Sequence, residues 1–364
     1  MRFTINRSDF ADSIKWVASA LDKRPPSPVM GGIRITASED VVTVAAWNFT
    51  AAHSSRLSAT VADPGDLLIP GAALALIVGS LKTETLTLNS NEDGTEVVIA
   101  AGASKFAIRT LPVSEYMAAP PTSDPIGYVS GAGLAEVVKA TEWAAADDMI
   151  VEDLVQVHVE AIDDTLTLVA SDRFVFAFDS LAYKGEPFTV GLLPDMLTAA
   201  VSGLSRDANV GIGFDAGMVT LHGSDRTVSM RTVDKDFMAG RNWQDFVGKI
   251  STPNTVQLDA RDLADAVKRV GALADENAAV NFRSEGEQIG LSAAGQKGSA
   301  SDAIPAHVDG EKFDSAFAPR ILTSALAIFS GQVNLGYSTP TGPMRISCDA
   351  QPNRTAIVMP RRLV

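Results

Sequence analysis

Two pairs of adjacent carboxylates, Asp147–Asp148 and Asp163–Asp164, have a spacing that could serve acid–base or cation-binding chemistry. Neighbouring carboxylates can share a proton or hold a hard divalent ion. Both pairs fall among polar turn residues, where carboxylates are ordinarily solvated, so a hydrolase built on them is the weaker reading. The four histidines, His53, His158, His222 and His307, have no metal-ligand spacing. Neither an HExxH pair, a P-loop nor a nucleophile elbow occurs. GIGFDAG (211–217) is glycine-rich, but it lacks the later glycines of a dinucleotide fingerprint and follows a helix instead of opening one. The single cysteine, Cys348, excludes an internal disulfide and a cysteine metal cluster. It lies in the alternating run MRISCDA and is expected to be buried and unreactive. No catalytic residue, cofactor or metal is assigned.

The spacing that recurs belongs to lysine. Lys15, Lys139 and Lys268 hold the same place in three similar segments, FTINRSDFADSIKWVASAL (3–21), YVSGAGLAEVVKATEWAA (128–145) and VQLDARDLADAVKRVGALA (256–274). Such cations would attract phosphate oxygens without reading bases. A solvated helix face is the competing explanation, and it would win if the lysine were not repeated in register.

The elements that must position these lysines are legible in the same segments. Each is a short alternating strand, a polar turn and an amphipathic helix. Phe10, Leu134 and Leu263 correspond; so do Ile14, Val138 and Val267, and then Val17, Thr141 and Val270. Their i, i+4, i+7 spacing marks one helix face. Each lysine follows its first anchor by five residues, about 140° around the helix, and points away from the packed face. Arg7, Arg24, Lys82, Arg206 and Arg269 flank the same helices or their ends. Asp9, Asp12, Glu136, Asp262 and Asp265 lie on them too, several in the first turn where they complement the helix dipole. They would weaken any static grip on a phosphate backbone.

A second helix recurs from Pro70, Pro194 and Pro319, 124 and 125 residues apart, where proline suits a first helical turn. Ile77, Val201 and Leu326 follow seven positions on, and then the alternating runs TLTLNS, NVGIGF and VNLGYS. AIRTLPVSEYMAA (107–119) and SMRTVDKDFMAG (229–240) echo one another more weakly. Further strands are expected at VVTVAAW, TLTLVAS and RTVSMRTV. The chain reads as three copies of one α+β unit, with strands and helices in separate layers. Boundaries are expected near PPTSDP (120–125) and KISTPN (249–254), giving domains 1–122, 123–252 and 253–364.

The length of 364 residues permits two or three domains. No apolar run is long enough for a transmembrane helix, and charges come too early for a signal peptide, so a cytoplasmic protein without membrane partners is expected. The net charge of −14 would by itself argue against nucleic acid. A basic stripe on one surface of an acidic protein answers that objection, since what matters is where the cations cluster.

Four stretches, in order along the whole chain, resemble the bacterial DNA polymerase III β subunit, the β sliding clamp. They are DKRPPSPVMGGI (22–33), TLVASDRFVFAF (167–178), FAPRILTSAL (317–326) and the terminal TAIVMPRRLV (355–364). The last is the most specific, being both a sequence and a position. The resemblance implies three tandem DNA-clamp domains with helices lining the inside and antiparallel sheets outside. Two subunits would close head to tail into a ring-shaped homodimer. It implies a non-enzymatic processivity factor that encircles duplex DNA without sequence preference. Its implied partners are a replicative DNA polymerase, an ATP-dependent clamp loader and other clamp-binding proteins of repair and replication.

Carried over residue by residue, the resemblance implies DNA contact at Arg24, beside the Arg7, Lys15, Lys82, Lys139, Arg206 and Lys268 of the basic lining. It implies a partner-peptide pocket between the second and third domains. One side would be Leu154, Ser171, Arg173, Phe174, Val175 and Phe176, with Met238, Asn242 and Trp243 beside them. The other would be Ile321 with the terminal Ile357, Val358, Met359, Pro360, Arg361 and Leu363. At the dimer interface, Phe106 and Ile108 would face Leu273 of the partner subunit, next to Ala272.

Several positions depart from the family pattern. Val175 and Asn242 stand where arginine is common, Trp243 where a small aliphatic is usual and Ile321 where tyrosine is. A less basic, differently shaped pocket is expected, as in a divergent paralogous or phage-encoded clamp. The loop DDMIVEDL (147–154) is acidic where relatives place DNA contacts, so none is carried over there. Ala272 is small where a larger aliphatic is common, which would loosen the interface. A repeat-built interaction scaffold that never touches DNA is the reading from another class, and the aligned lysines weigh against it.

Overall fold

The computed structural model describes residues 1–147, 151–275 and 278–361. Its helices are α1 (Arg7–Val17), α2 (Gly71–Ser80), α3 (Gly131–Thr141), α4 (Pro194–Ser202), α5 (Trp243–Gly248), α6 (Ala260–Gly271) and α7 (Pro319–Leu326). Helices α1, α3 and α6 are the three repeated amphipathic helices, and every anchor matched among them, from Phe10 to Val270, is buried. The polar member, Thr141, donates from Oγ1 to the Val137 carbonyl at 2.8 Å, which satisfies its hydroxyl inside the core. Side-chain oxygens cap all three of these helices: Asn6 accepts from the amides of Ser8 and Asp9, Ser130 from that of Gly133, and Asp259 from those of Arg261 and Asp262. Each such cap contributes about 1 kcal/mol. Pro70 caps α2, while Pro194 and Pro319 open α4 and α7, positions where a missing N–H costs no hydrogen bond.

The chain divides into two compact units. The first comprises Met1–Ala135, Tyr183–Glu186 and Asp195–Thr232; the second comprises Glu136–Ala182, Pro187–Pro194 and Val233–Val364.

The first unit contains a five-stranded antiparallel sheet in the order Thr60–Asp63, Arg2–Asn6, Thr85–Ser90, Glu96–Ala101, Ser104–Arg109. Its nine-stranded sheet is continuous across two repeats, because Arg226–Arg231 pairs antiparallel with Ala51–Ser58, Val228 opposite His53. Over that sheet, Trp16 of α1 stacks on His53 at 4.7 Å, and the Arg226 guanidinium lies 4.9 Å from the indole centroid. The Trp16 indole N–H donates to the Ala199 carbonyl at 3.1 Å. Gly203 must be glycine here, since a Cβ would come within 2.2 Å of the indole nitrogen. Burial lowers the pKa of His53 to about 4, against the opposing hydrogen bond to the Trp16 carbonyl. GIGFDAG is the strand Val210–Asp215 followed by a turn at Ala216 and Gly217, both with positive φ.

The second unit contains another nine-stranded sheet and a four-stranded sheet, whose order is Gly298–Pro305, Gln288–Gly295, Val280–Glu285, Asp314–Phe317. In the larger sheet Val175–Ala182 pairs antiparallel with the C-terminal strand Gln351–Val358, Val175 opposite Val358 and Phe176 opposite Ile357. Strands from the second and third repeats thus share one sheet, as in the first unit. Asp163 and Asp164, with φ of 47° and 61°, form the two-residue turn between Val157–Ile162 and Thr165–Ser171. Aspartate tolerates that left-handed geometry, which gives the pair a local structural role. Asp148 of the other pair lies outside the described residues. Cys348 is buried. Among the described residues no helix is long and apolar enough to cross a membrane, and no cluster of three or more His, Cys, Asp or Glu could hold a metal ion.

Candidate functional site

The second unit carries an open apolar groove of about 780 Å³. Its base rests on a buried cluster of Leu154, Val169, Phe176, Phe237 and Ile357. The pairing of Phe176 with Ile357 brings together residues far apart in sequence, and the tight turn before Phe176 shapes one edge. There the Asp172 carboxylate accepts from the amides of Phe174 and Val175 at 2.7 and 2.8 Å. Ser171 Oγ donates to the Val175 carbonyl at 2.7 Å and accepts from the Arg173 amide at 3.2 Å. Arg173 is held at φ 81°, and Phe174 is pushed outward to 63% exposure. The Met359 amide donates to the Phe174 carbonyl at 2.8 Å, tying the C-terminal segment to the same turn.

The lining also includes a second left-handed segment. Met238, Ala239 and Gly240 have φ of 52°, 53° and 74° in succession. Non-glycine residues rarely adopt this region, and such strain tends to concentrate at binding sites. Phe237, just before, is buried and stacks on His158 at 5.0 Å; burial lowers the His158 pKa, with Glu160 opposing. Helix α5 follows, capped by the Asn242 side chain, which accepts from the Asp245 amide at 2.9 Å.

Of the residues expected at a peptide pocket, Leu154, Ser171, Arg173, Phe174, Val175, Phe176, Met238, Ile357 and Met359 line this groove. Trp243 packs behind it, against Phe176 and Phe178. Asn242 turns into its capping role, and Val358 is fully buried in the sheet. Ile321, Pro360 and Arg361 are not among the lining residues; Arg361 donates its amide to the Ala316 carbonyl at 2.7 Å. Leu363 lies outside the described residues.

The groove also has members that sequence reasoning missed: Glu152, Asp153, Lys235, Ala239, Arg241 and Phe246. Phe246 had a signal, three residues after Trp243 on a helix announced by the Asn242 cap. The others had none. Lys235 pairs with Glu152 at 3.1 Å, an exposed contact worth little. The guanidiniums of Arg173 and Arg241 have no carboxylate partner among the described residues. Arg241 therefore supplies a cation next to the position where Asn242 has none.

The recurring lysines behave as their spacing requires: Lys15, Lys139 and Lys268 are all exposed on their helices. Lys268 lies 4.0 Å from Asp265, and Arg269 is held by Asp302 at 2.6 Å. Lys15 and Arg206 border a polar depression in the first unit, together with Trp16 and Arg226. Arg24 and Lys82 are exposed, while Arg7 is half-buried and donates from Nε to the Thr83 carbonyl at 3.3 Å. Phe106 and Ile108 sit half-buried on Ser104–Arg109, an edge strand of the five-stranded sheet. Leu273 is half-buried and Ala272 exposed, just past the end of α6.

Comparison with known proteins bears on the whole chain. Residues 1–120 match the family model of the DNA polymerase III beta subunit, N-terminal domain, and residues 251–362 match that of its C-terminal domain. A beta sliding clamp from Micrococcus luteus is 30% identical over 312 residues, covering 84% of this chain and 99% of the relative. One from Streptomyces coelicolor is 28% identical and covers all of both chains. The crystal structure of the DNA polymerase III beta subunit from Thermotoga maritima superposes with a TM-score of 0.90 over the full length of both chains, at 22% identity.

Proposed function

The chain belongs to the DNA polymerase III β-subunit family, and from that premise we propose that it works as a sliding clamp, encircling duplex DNA and holding the replicative polymerase on it. The observation that carries this reading is the recurrence of one helix, with the same buried anchors and the same exposed lysine, in a chain whose whole length matches the clamp fold. Topological enclosure needs no tight grip. Exposed lysines interspersed with carboxylates give weak, interchangeable phosphate contacts, which permit movement along the duplex. Arg24, Arg7, Lys15, Lys82, Lys139, Arg206 and Lys268 are the contacts proposed.

The repeat supports domains 1–122, 123–252 and 253–364, with a second copy of the chain closing the ring. The edge strand Ser104–Arg109 brings Phe106 and Ile108, flanked by exposed Lys105 and Arg109. In the partner copy, Leu273 beside the edge strand Gly298–Pro305 offers an apolar match. The groove is proposed as the docking site for peptide segments of the polymerase, of an ATP-dependent clamp loader and of repair proteins. An apolar floor with the guanidiniums of Arg173 and Arg241 at its edge, unpaired among the described residues, suits an apolar segment that also carries a carboxylate. No catalytic role is assigned to any residue, and a cytoplasmic site of action follows from the DNA it serves.

The test is retention on circular DNA. Loaded onto a nicked plasmid by its clamp loader, the protein should co-elute with the circle in gel filtration and be released when the plasmid is linearised. Release that does not depend on linearisation would overturn encirclement. Failure to load at all would favour a scaffold that does not engage DNA.

A further inference from the structure

Helix α5 is only six residues long, too short to be stable by itself, yet it forms a wall of the groove. Its position is set by contacts from elsewhere in the second unit. The Trp243 indole N–H donates to Glu160 Oε2 at 3.2 Å, and the Gln244 amide donates to the same oxygen at 3.0 Å. The Trp243 ring lies 5.4 Å from Phe178 and 6.1 Å from Phe176. The Arg345 guanidinium donates to the Val247 carbonyl at 3.0 Å, holding the far end of the helix.

One turn beyond Trp243, Phe246 faces the groove. It is 40% exposed, and its ring stands 5.6 Å from Phe176 on the groove floor, inclined at 46°. A half-exposed ring fixed beside a buried one offers a partner side chain two aromatic surfaces at once. A flat ring entering there gains edge-to-face or offset stacking that a branched aliphatic group cannot.

We propose that Phe246 is a specificity-determining residue of the groove, selecting an aromatic anchor over an aliphatic one, and that Glu160 is the positioning residue that holds it through Trp243. This rests on the reading of the groove as a peptide site. Glu160 does not line the groove, and its influence passes through the bond to the indole and the helix that carries Phe246. Because the wall is fixed before any peptide arrives, little ordering cost falls on binding, and the preference is expressed fully in affinity.

The experiment uses the full-length protein and peptides tiled from the same organism's replicative polymerase. The tightest binder is resynthesised with Phe, Leu or Ala at its apolar anchor, and each version is titrated by fluorescence anisotropy. In the wild type the Phe peptide should bind roughly three- to tenfold more tightly than the Leu peptide. Phe246→Leu should bring that ratio close to one. Glu160→Ala should lower it as well, and Glu160→Gln, which keeps an acceptor oxygen for the indole, should restore most of it. The ratio is insensitive to partial unfolding, since both peptides meet the same folded fraction. A ratio that survives Phe246→Leu overturns the proposal and leaves the groove's assignment standing. A ratio lowered by Phe246→Leu but not by Glu160→Ala removes the positioning role. If no tiled peptide binds the wild type, the peptide-site reading fails and takes this proposal with it.

Discussion

Arg354 and Asp179 form an ion pair of 2.7 Å inside the second unit, with side chains only 10% and 7% exposed. They belong to the paired strands whose ends carry Ile357 and Phe176, and Arg354 also donates to the Ile328 carbonyl at 2.5 Å. Removing Asp179 leaves the buried Arg354 with only a longer contact to the exposed Glu136 at 3.7 Å. Asp179→Ala should therefore destabilise the protein by about 3–5 kcal/mol, whereas the double change Asp179→Leu with Arg354→Met should cost much less. Urea denaturation of the three proteins checks this, and equal losses in the single and double variants would contradict it.

Stability should fall on mild acidification because of His53. Burial lowers its pKa from 6.5 to about 4, so between those values the unfolded chain takes up a proton that the folded chain excludes. The stabilisation is complete above the unfolded value and is lost as pH falls. Between pH 6.5 and 5 it should amount to about 1–2 kcal/mol. His53→Phe should flatten that part of the profile, measured as urea midpoints across pH, and an unchanged slope in the variant would point to other groups.

Replacing Lys15, Lys139 and Lys268 together by glutamate should shorten residence on circular DNA and impair loading. In direct binding, the dependence of log affinity on log salt should become shallower by about 0.9 for each phosphate that is no longer neutralised. Processivity equal to wild type would remove the lysines from the mechanism.

Light scattering at micromolar concentration should give about twice the chain mass of 38.2 kDa. Phe106→Asp or Leu273→Asp should shift the mass to that of one chain without unfolding it, because a charge placed in an apolar interface is costly to bury. A stable monomer in the unaltered protein would mean that the interface loosened by Ala272 does not hold the ring closed.

Sequence alone determined the elements built from local periodicity. The anchors Phe10, Leu134 and Leu263, and those following at helical spacing, had to be buried, and Lys15, Lys139 and Lys268 had to face away, because 3.6 residues per turn fixes which side chains share a face. The caps at Asn6 and Asp259 and the prolines opening α4 and α7 were equally local. The strands were legible too, but not their partners. Tertiary structure decided that Arg226–Arg231 joins Ala51–Ser58, and that Val175–Ala182 joins the C-terminal strand, so that sheets cross the limits of the repeats. It also decided the groove's membership, bringing Lys235, Arg241 and Phe246 to Phe176 and setting Trp243 on Glu160, 83 residues away. Such contacts depend on strand register and on how the chain returns to itself, and periodicity carries no record of either.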